Sequence, residues 1–302
     1  MKRNRLGKSE LLVSEIGLGC MSLGTDKPKA IRIIHEALEL GINFLDTADL
    51  YDAGLNEEIV GEALKGRRSD AVLATKVGNR RVPGREGWVW DPSKAYIKMA
   101  VKDSLRRLRT DYIDLYQLHG GTIDDPIDET IEAFEELKRE GVIRYYGISS
   151  IRPNVIREYV KRSGIVSVMV QYSILDRRPE ESVLPLLEEN GISAIARGPV
   201  AKGILTGQGR EKAGGGYLDY SPDELIALLE RLPAAGDSGR DIAHTAIRYA
   251  LSSPAVATAI PGASSLRQLA HNAEAARVPP LSAEEIEAIR RISRANRYEQ
   301  HR

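Results

Sequence analysis

Of 302 residues only one is cysteine, two are phenylalanine and two are tryptophan, and 43 basic side chains are matched by 43 acidic ones. Each scarcity excludes something. A lone thiol, Cys20, closes no internal disulfide and supplies no cysteine-based metal site, so no metal is expected. Zero net charge argues against a nucleic-acid partner, because a basic binding face would have to be cancelled by an acidic one elsewhere. No apolar run approaches the roughly 18 residues of a membrane span, and Met1-Lys2-Arg3-Asn4-Arg5 runs into Leu6-Gly7-Lys8-Ser9 without the apolar core of a secretion signal. The expectation is a cytoplasmic protein that engages neither membrane nor nucleic acid. With 42% hydrophobic residues the chain is no candidate for disorder, and its length suits two ordinary domains or one large α/β barrel.

What is present is an alternation. Short β-like runs fall at 15–19, 42–46, 71–76, 113–119, 142–149, 165–172, 192–197 and 256–261, eight in all. Most are followed by apolar residues at three- and four-residue spacing, as in Ile31, Ile34, Ala37 and Leu38 before Gly41, or Ile97, Val101, Leu105 and Leu108 after Asp91-Pro92-Ser93. Eight strand–helix units with no Pro/Gly-rich linker between halves point to one α/β domain over 1–302, a (β/α)8 TIM barrel, rather than two doubly wound sheets. Three segments fall outside the repeat. Residues 2–6 and 10–13 around Gly7-Lys8-Ser9 form an N-terminal β-hairpin pattern; Ser282 with Glu285 makes a capping box that opens an extra C-terminal helix; and 198–236 is a long insertion that reads either as a lid or as a surface excursion.

Reactive groups of such a barrel belong at the C-terminal ends of its strands. Strand two ends in Asp46-Thr47-Ala48-Asp49-Leu50-Tyr51, strand three in Thr75-Lys76, strand four in Leu118-His119. Each residue alone has a plainer reading: a backbone-bonding Asp46, a lining Tyr51, a snorkelling Lys76, a core His119. Together they suit proton transfer to a carbonyl oxygen. A cation beside a phenol favours the phenolate and pulls its pKa down from about 10, which gives Lys76 a role toward Tyr51. A buried ammonium needs a counter-charge, which Asp46 provides, and His119 hydrogen-bonds the carbonyl from the other side.

The ordered set Asp46-Thr47-Ala48 with Tyr51, Thr75-Lys76, Leu118-His119, Gly147-Ile148-Ser149-Ser150, Val170-Gln171-Tyr172 and Ile260-Pro261-Gly262-Ala263-Ser264-Ser265 resembles the aldo-keto reductases, nearest to bacterial oxidoreductases among them, over nearly the whole chain. The resemblance implies an NADPH-dependent oxidoreductase that reduces aldehydes or ketones, with Tyr51 as general acid, Lys76 and Asp46 tuning it, and His119 orienting the substrate carbonyl. It also implies that Ser149 and Gln171 bind the carboxamide, that Asp46 lies beside the nicotinamide ribose, and that Gly19, Arg197, Gly198, Pro199, Gly262 and Asn272 line the NADPH/NADP+ site. The partner is then a small-molecule carbonyl substrate, handled by a monomer or weak homo-oligomer. The chain departs from the family in having Ser150 for an asparagine, Arg197 for an aromatic on strand seven, Gly262 for a lysine, and His271 for an acidic residue.

Arg197 has a plane that can stack on a nicotinamide, or it is a solvent-facing arginine at a hinge. Ser264 and Ser265 open a helix over 266–272, and with Arg267, Gln268 and Asn272 the first turn suits a 2′-phosphate, although a hydroxyl there also serves as a simple cap. Trp88 and Trp90, in the loop after strand three, either line a pocket for an apolar aldehyde or pack that loop onto the barrel. Two other functions use parts of the same set: an aldolase with Lys76 as Schiff-base amine, and a non-enzymatic subunit that senses nicotinamide nucleotide.

Overall fold

A computed structural model describes residues 1–82, 84, 86–235 and 239–302. Eight parallel strands form the barrel: β1 (Leu18–Gly19), β2 (Phe44–Asp46), β3 (Val72–Val77), β4 (Ile113–Leu118), β5 (Ile143–Ser149), β6 (Ser167–Gln171), β7 (Ser193–Arg197) and β8 (Val256–Ile260). They are hydrogen-bonded in sequence order, and parallel bridges from Ile16 to Ala259 and from Gly19 to Gly262 bring the first strand against the last. The helices that return the chain are α1 (Lys27–Glu39), α2 (Leu55–Ala63), α3 (Lys94–Leu108), α4 (Ile127–Arg139), α5 (Pro153–Arg162) and α6 (Val183–Glu189), then α7 (Gly209–Lys212) and α8 (Pro222–Arg231) inside the insertion, α9 (Ile242–Ala250), α10 (Leu266–Glu274) and α11 (Ala283–Ile292).

The expected N-terminal hairpin is present, Arg3–Arg5 pairing antiparallel with Leu12–Ser14. Its Leu6, Leu11 and Val13 join Phe44, Ala74, Leu115, Met169 and Ile195 in one buried cluster, so the hairpin plugs the barrel at the N-terminal end of the strands. A second, larger cluster lies between the outer faces of the strands and the helices. The extra C-terminal helix is α11, capped by Ser282 and Glu285 as the sequence suggests.

Strand periodicity now places the chemistry. Side chains two residues apart share a face, so the residues that follow the inner cluster by two on their strands also point inward. They are Asp46 after Phe44, Lys76 after Ala74, Gln117 after Leu115, Gln171 after Met169 and Arg197 after Ile195. A polar layer thus sits directly on an apolar one, at the C-terminal mouth.

Two segments differ from the sequence expectation in form. The regular part of the first strand is only Leu18–Gly19, although Glu15 and Gly17 still exchange backbone hydrogen bonds with Ala259. Gly17 is squeezed there: a Cβ on it would stand 2.9 Å from both Phe44 and Ile260 side chains. The insertion expected over 198–236 is helical and packed, with Leu205, Ala213, Leu225, Leu228 and Leu232 buried; its last residue lies outside the described residues. No helix among the described residues is long and apolar enough to cross a membrane.

Candidate active site

Lys76 is the centre of the mouth. It is fully buried, and its Nζ donates to Asp46 Oδ2 at 2.7 Å, to the Thr47 carbonyl at 2.7 Å and to Tyr51 Oη at 3.1 Å. Burial works against the ammonium, but the Asp46 carboxylate and the Tyr51 oxygen outweigh it and raise the Lys76 pKa above its ordinary value. The lysine therefore stays charged. Asp46 is held from a second side by Gln117, whose Nε2 donates to Oδ1 at 3.3 Å.

Tyr51 does not lie on a strand, and an unusual turn aims it. The three residues after it, Asp52, Ala53 and Gly54, all have left-handed backbone, with φ of 47°, 58° and 91°. Two of these are not glycine, so the turn is strained and has to be held by its surroundings. Directly after the turn, the start of α2 ties the neighbouring strand ends together. Asn56 and Glu57 are completely buried: Asn56 accepts from Thr47 Oγ1 at 2.7 Å and donates to the Cys20 carbonyl at 2.9 Å, while Glu57 accepts from Thr75 Oγ1 at 2.6 Å and Arg107 Nε at 2.7 Å. Thr47 and Thr75, which flank Asp46 and Lys76, are thus pinned to one helix start.

The phenol itself corrects an expectation. Burial is the largest influence on Tyr51 and raises its pKa; the Lys76 charge pulls the other way but does not prevail, and the Asp46 charge adds to the rise. The hydroxyl is accordingly kept as a neutral donor. His119 meets Tyr51 edge to face, with ring centroids 5.9 Å apart at 85°. Burial, followed by the Lys76 and Arg197 charges, pushes its pKa down to about 3, so the imidazole is neutral. Its Nδ1 is buried and has no partner among the described residues.

The remaining predicted residues form an arc around this group. Gln171 and Arg197 are register partners, and Arg197 Nη1 donates to Gln171 Oε1 at 2.9 Å. Gln171 Nε2 donates to Asp176 Oδ2 at 2.8 Å and to Tyr217 Oη at 3.1 Å, so the insertion reaches the site through one tyrosine. Ser149 ends β5 beside Met169, and Gly198, with φ of 66°, turns the chain into Pro199 after β7. Gly19 and Gly262 meet where β1 closes on the segment after β8. At the start of α10, Ser265 caps the helix by accepting from Gln268 N, and Gln268 Oε1 accepts from both N and Oγ of Ser264. Arg267 is exposed on the same turn, and Asn272 Nδ2 donates to the Gly262 carbonyl at 3.1 Å.

The two tryptophans part company. Residues 79–80 and 89–90 pair as a small hairpin. Trp90 Nε1 donates to the Asp125 carboxylate at 3.0 Å, and its ring lies where a Cβ on Gly78 would come within 2.5 Å, beside Gly120. It packs the loop on the rim next to His119, whereas Trp88 is 53% exposed. Gln117, Asn56, Glu57, Arg107 and Tyr217 were not singled out from the sequence. Asn56 and Glu57 had a readable signal, two polar residues set against the apolar Ile59, Val60 and Ala63 of α2. Tyr217 had none, because only the folded insertion brings it to β6.

This geometry meets independent comparison. A family model described as "Aldo/keto reductase family" matches residues 15–294. The chain belongs to the aldo-keto reductase family. It is 60% identical to the "Uncharacterized oxidoreductase YqkF" of Bacillus subtilis (strain 168), with both chains fully covered. It superimposes on the holo form of the aldo-keto reductase AKR11C1 from Bacillus halodurans with a TM-score of 0.96 at 64% identity, covering 100% of this chain and 99% of that one. Against the apo form of the same protein the TM-score is 0.87 at 61% identity, with the same coverage. As an aldo-keto reductase it is an oxidoreductase of small-molecule carbonyl compounds that depends on a nicotinamide cofactor.

Proposed function

We propose that this aldo-keto reductase reduces aldehydes or ketones to alcohols with NADPH, and that Tyr51 is the general acid. The observation that carries the reading is the shared cation: one buried ammonium bonded at once to a carboxylate and to a phenol. The nicotinamide, when bound, supplies the hydride. The neutral His119 hydrogen-bonds the carbonyl oxygen and fixes its approach, which a charged imidazolium facing Lys76 and Arg197 could not do without cost. Tyr51 Oη then gives its proton to that oxygen. The negative charge left on the phenolate lies 3.1 Å from Lys76 Nζ, so the charge develops against a cation already in place. Asp46 keeps that cation protonated and fixed.

The residues suit a dinucleotide. Gln171 and Ser149 are amide- and hydroxyl-bearing groups facing the mouth and match a carboxamide, and Arg197 offers a planar face on the adjacent strand. The helix start at Ser264 and Ser265, with Arg267 beside it, suits a 2′-phosphate, and Gln268 Oε1 already gathers the Ser264 N–H and hydroxyl on that turn. Trp90 and the exposed Trp88 give the rim an apolar side for an aromatic aldehyde.

Steady-state turnover tests the reading. An aldehyde panel including 4-nitrobenzaldehyde should be reduced with NADPH, and more slowly with NADH. Tight NADPH binding with no turnover of any aldehyde or ketone would replace the enzyme with a nucleotide sensor.

A further inference from the structure

Two of the five histidines meet an aspartate on the outer helices that flank β8, away from the carbonyl chemistry. Asp241 caps α9, His244 lies on its first turn, and His271 comes from α10; one potential ligand atom of each lies within 4.8 Å of the other two. We propose that Asp241, His244 and His271 bind one divalent first-row metal ion of the zinc type, with water completing the coordination.

Three observations carry the assignment. The first is spacing. Tetrahedral zinc holds nitrogen and oxygen ligands at bond lengths that put them about 3.3 Å apart. One potential ligand atom of each residue already lies within 4.8 Å of the other two, His271 Nε2 stands 3.0 Å from the Asp241 carboxylate, and the two imidazole centroids are 4.6 Å apart. The second is orientation. A ligating histidine characteristically donates its other ring N–H to a carbonyl, which fixes tautomer and direction. His244 Nε2 lies 2.8 Å from the His271 carbonyl oxygen in that arrangement, which leaves Nδ1 to ligate. Asp241 is used in the same divided way: Oδ1 takes the helix-capping N–H groups of Ala243 and His244 and the contact from His271 Nε2, and Oδ2, to which no described residue bonds, is left to ligate. The third is access. His244 is only 8% exposed, whereas the His271 and Asp241 side chains are 40% and 36% exposed, so the cluster has a closed floor and an open side for ion entry and a water ligand. Two imidazoles with one carboxylate and no thiolate select zinc, nickel or cobalt over the oxygen-seeking magnesium and calcium.

The test is calorimetric titration of the metal-stripped, tag-free full chain with zinc chloride, together with its thermal transition. The expected result is one zinc per chain and a raised Tm, because the ion ties α9 to α10. His271→Ala should weaken binding by roughly tenfold or more, and so should Asp241→Asn, which retains an N-cap side chain. His301→Ala, at an exposed position, should leave binding unchanged. Cobalt in place of zinc should give visible d–d absorption without a thiolate charge-transfer band. No uptake, uptake unaffected by His271→Ala, uptake lost instead in His301→Ala, or a thiolate band implicating Cys20 would each overturn the assignment.

Discussion

Replacing Lys76 by methionine isolates the charge at the centre of the mouth, since methionine keeps most of the stem and removes only the ammonium. Three acceptors lose their donor at once: Asp46 Oδ2, the Thr47 carbonyl and Tyr51 Oη. Asp46 would then be a buried carboxylate with only the longer 3.3 Å contact from Gln117. Removing one member of a buried ion pair costs about 3–5 kcal/mol, and Asp46→Asn, which strands the ammonium, should cost a similar amount. Removing both charges leaves nothing uncompensated. The double variant Asp46→Asn/Lys76→Met should therefore be destabilised by only about 1–2 kcal/mol, well below the sum of the singles. Urea unfolding of the four proteins at neutral pH reads the cycle directly. Single variants that each cost under about 1 kcal/mol, or a double variant whose cost equals the sum of the singles within about 0.5 kcal/mol, would refute a coupled buried pair.

Other outcomes follow from the same geometry. His119 has a folded-state pKa depressed to about 3. Its neutral form is thus free of penalty above the unfolded value of about 6.5, and stability is lost as pH falls below that value toward the folded one. Between pH 7.5 and pH 5 the wild type should lose about 2 kcal/mol more than His119→Asn in chemical unfolding, and parallel losses would contradict a buried neutral imidazole. Arg267→Ala should weaken NADPH binding by about tenfold, the worth of one charge-assisted contact, and leave NADH within about twofold in fluorescence titrations; equal weakening would remove Arg267 from the phosphate. Glu57→Gln should cost about 3 kcal/mol in unfolding free energy by stranding Arg107, and a change below about 0.5 kcal/mol would show that Glu57 and Arg107 do not form a coupled buried pair.

The eight barrel strands and most helices were legible because each carries its own period, two for strands and about 3.6 for helices, and the caps at Ser93, Ser265 and Ser282 mark helix starts. The same period predicts the inward layer, so Asp46, Lys76 and His119 were found from strand ends. Other features are products of tertiary contact. The turn at Asp52 and Ala53 uses backbone conformations that neither residue advertises. The small hairpin at 79–80 and 89–90 is too short to show alternation. The rise of the Tyr51 pKa is a matter of magnitude: a neighbouring cation can be inferred from spacing, but how far burial outweighs it depends on the depth of the site.

Turnover of Tyr51→Phe tests the acid role most directly, since only one oxygen is removed. With NADPH and 4-nitrobenzaldehyde, kcat should fall by about 100- to 10,000-fold, while NADPH affinity from fluorescence titration stays within about twofold of wild type. A variant that turns over at the wild-type rate would show that the proton comes from elsewhere.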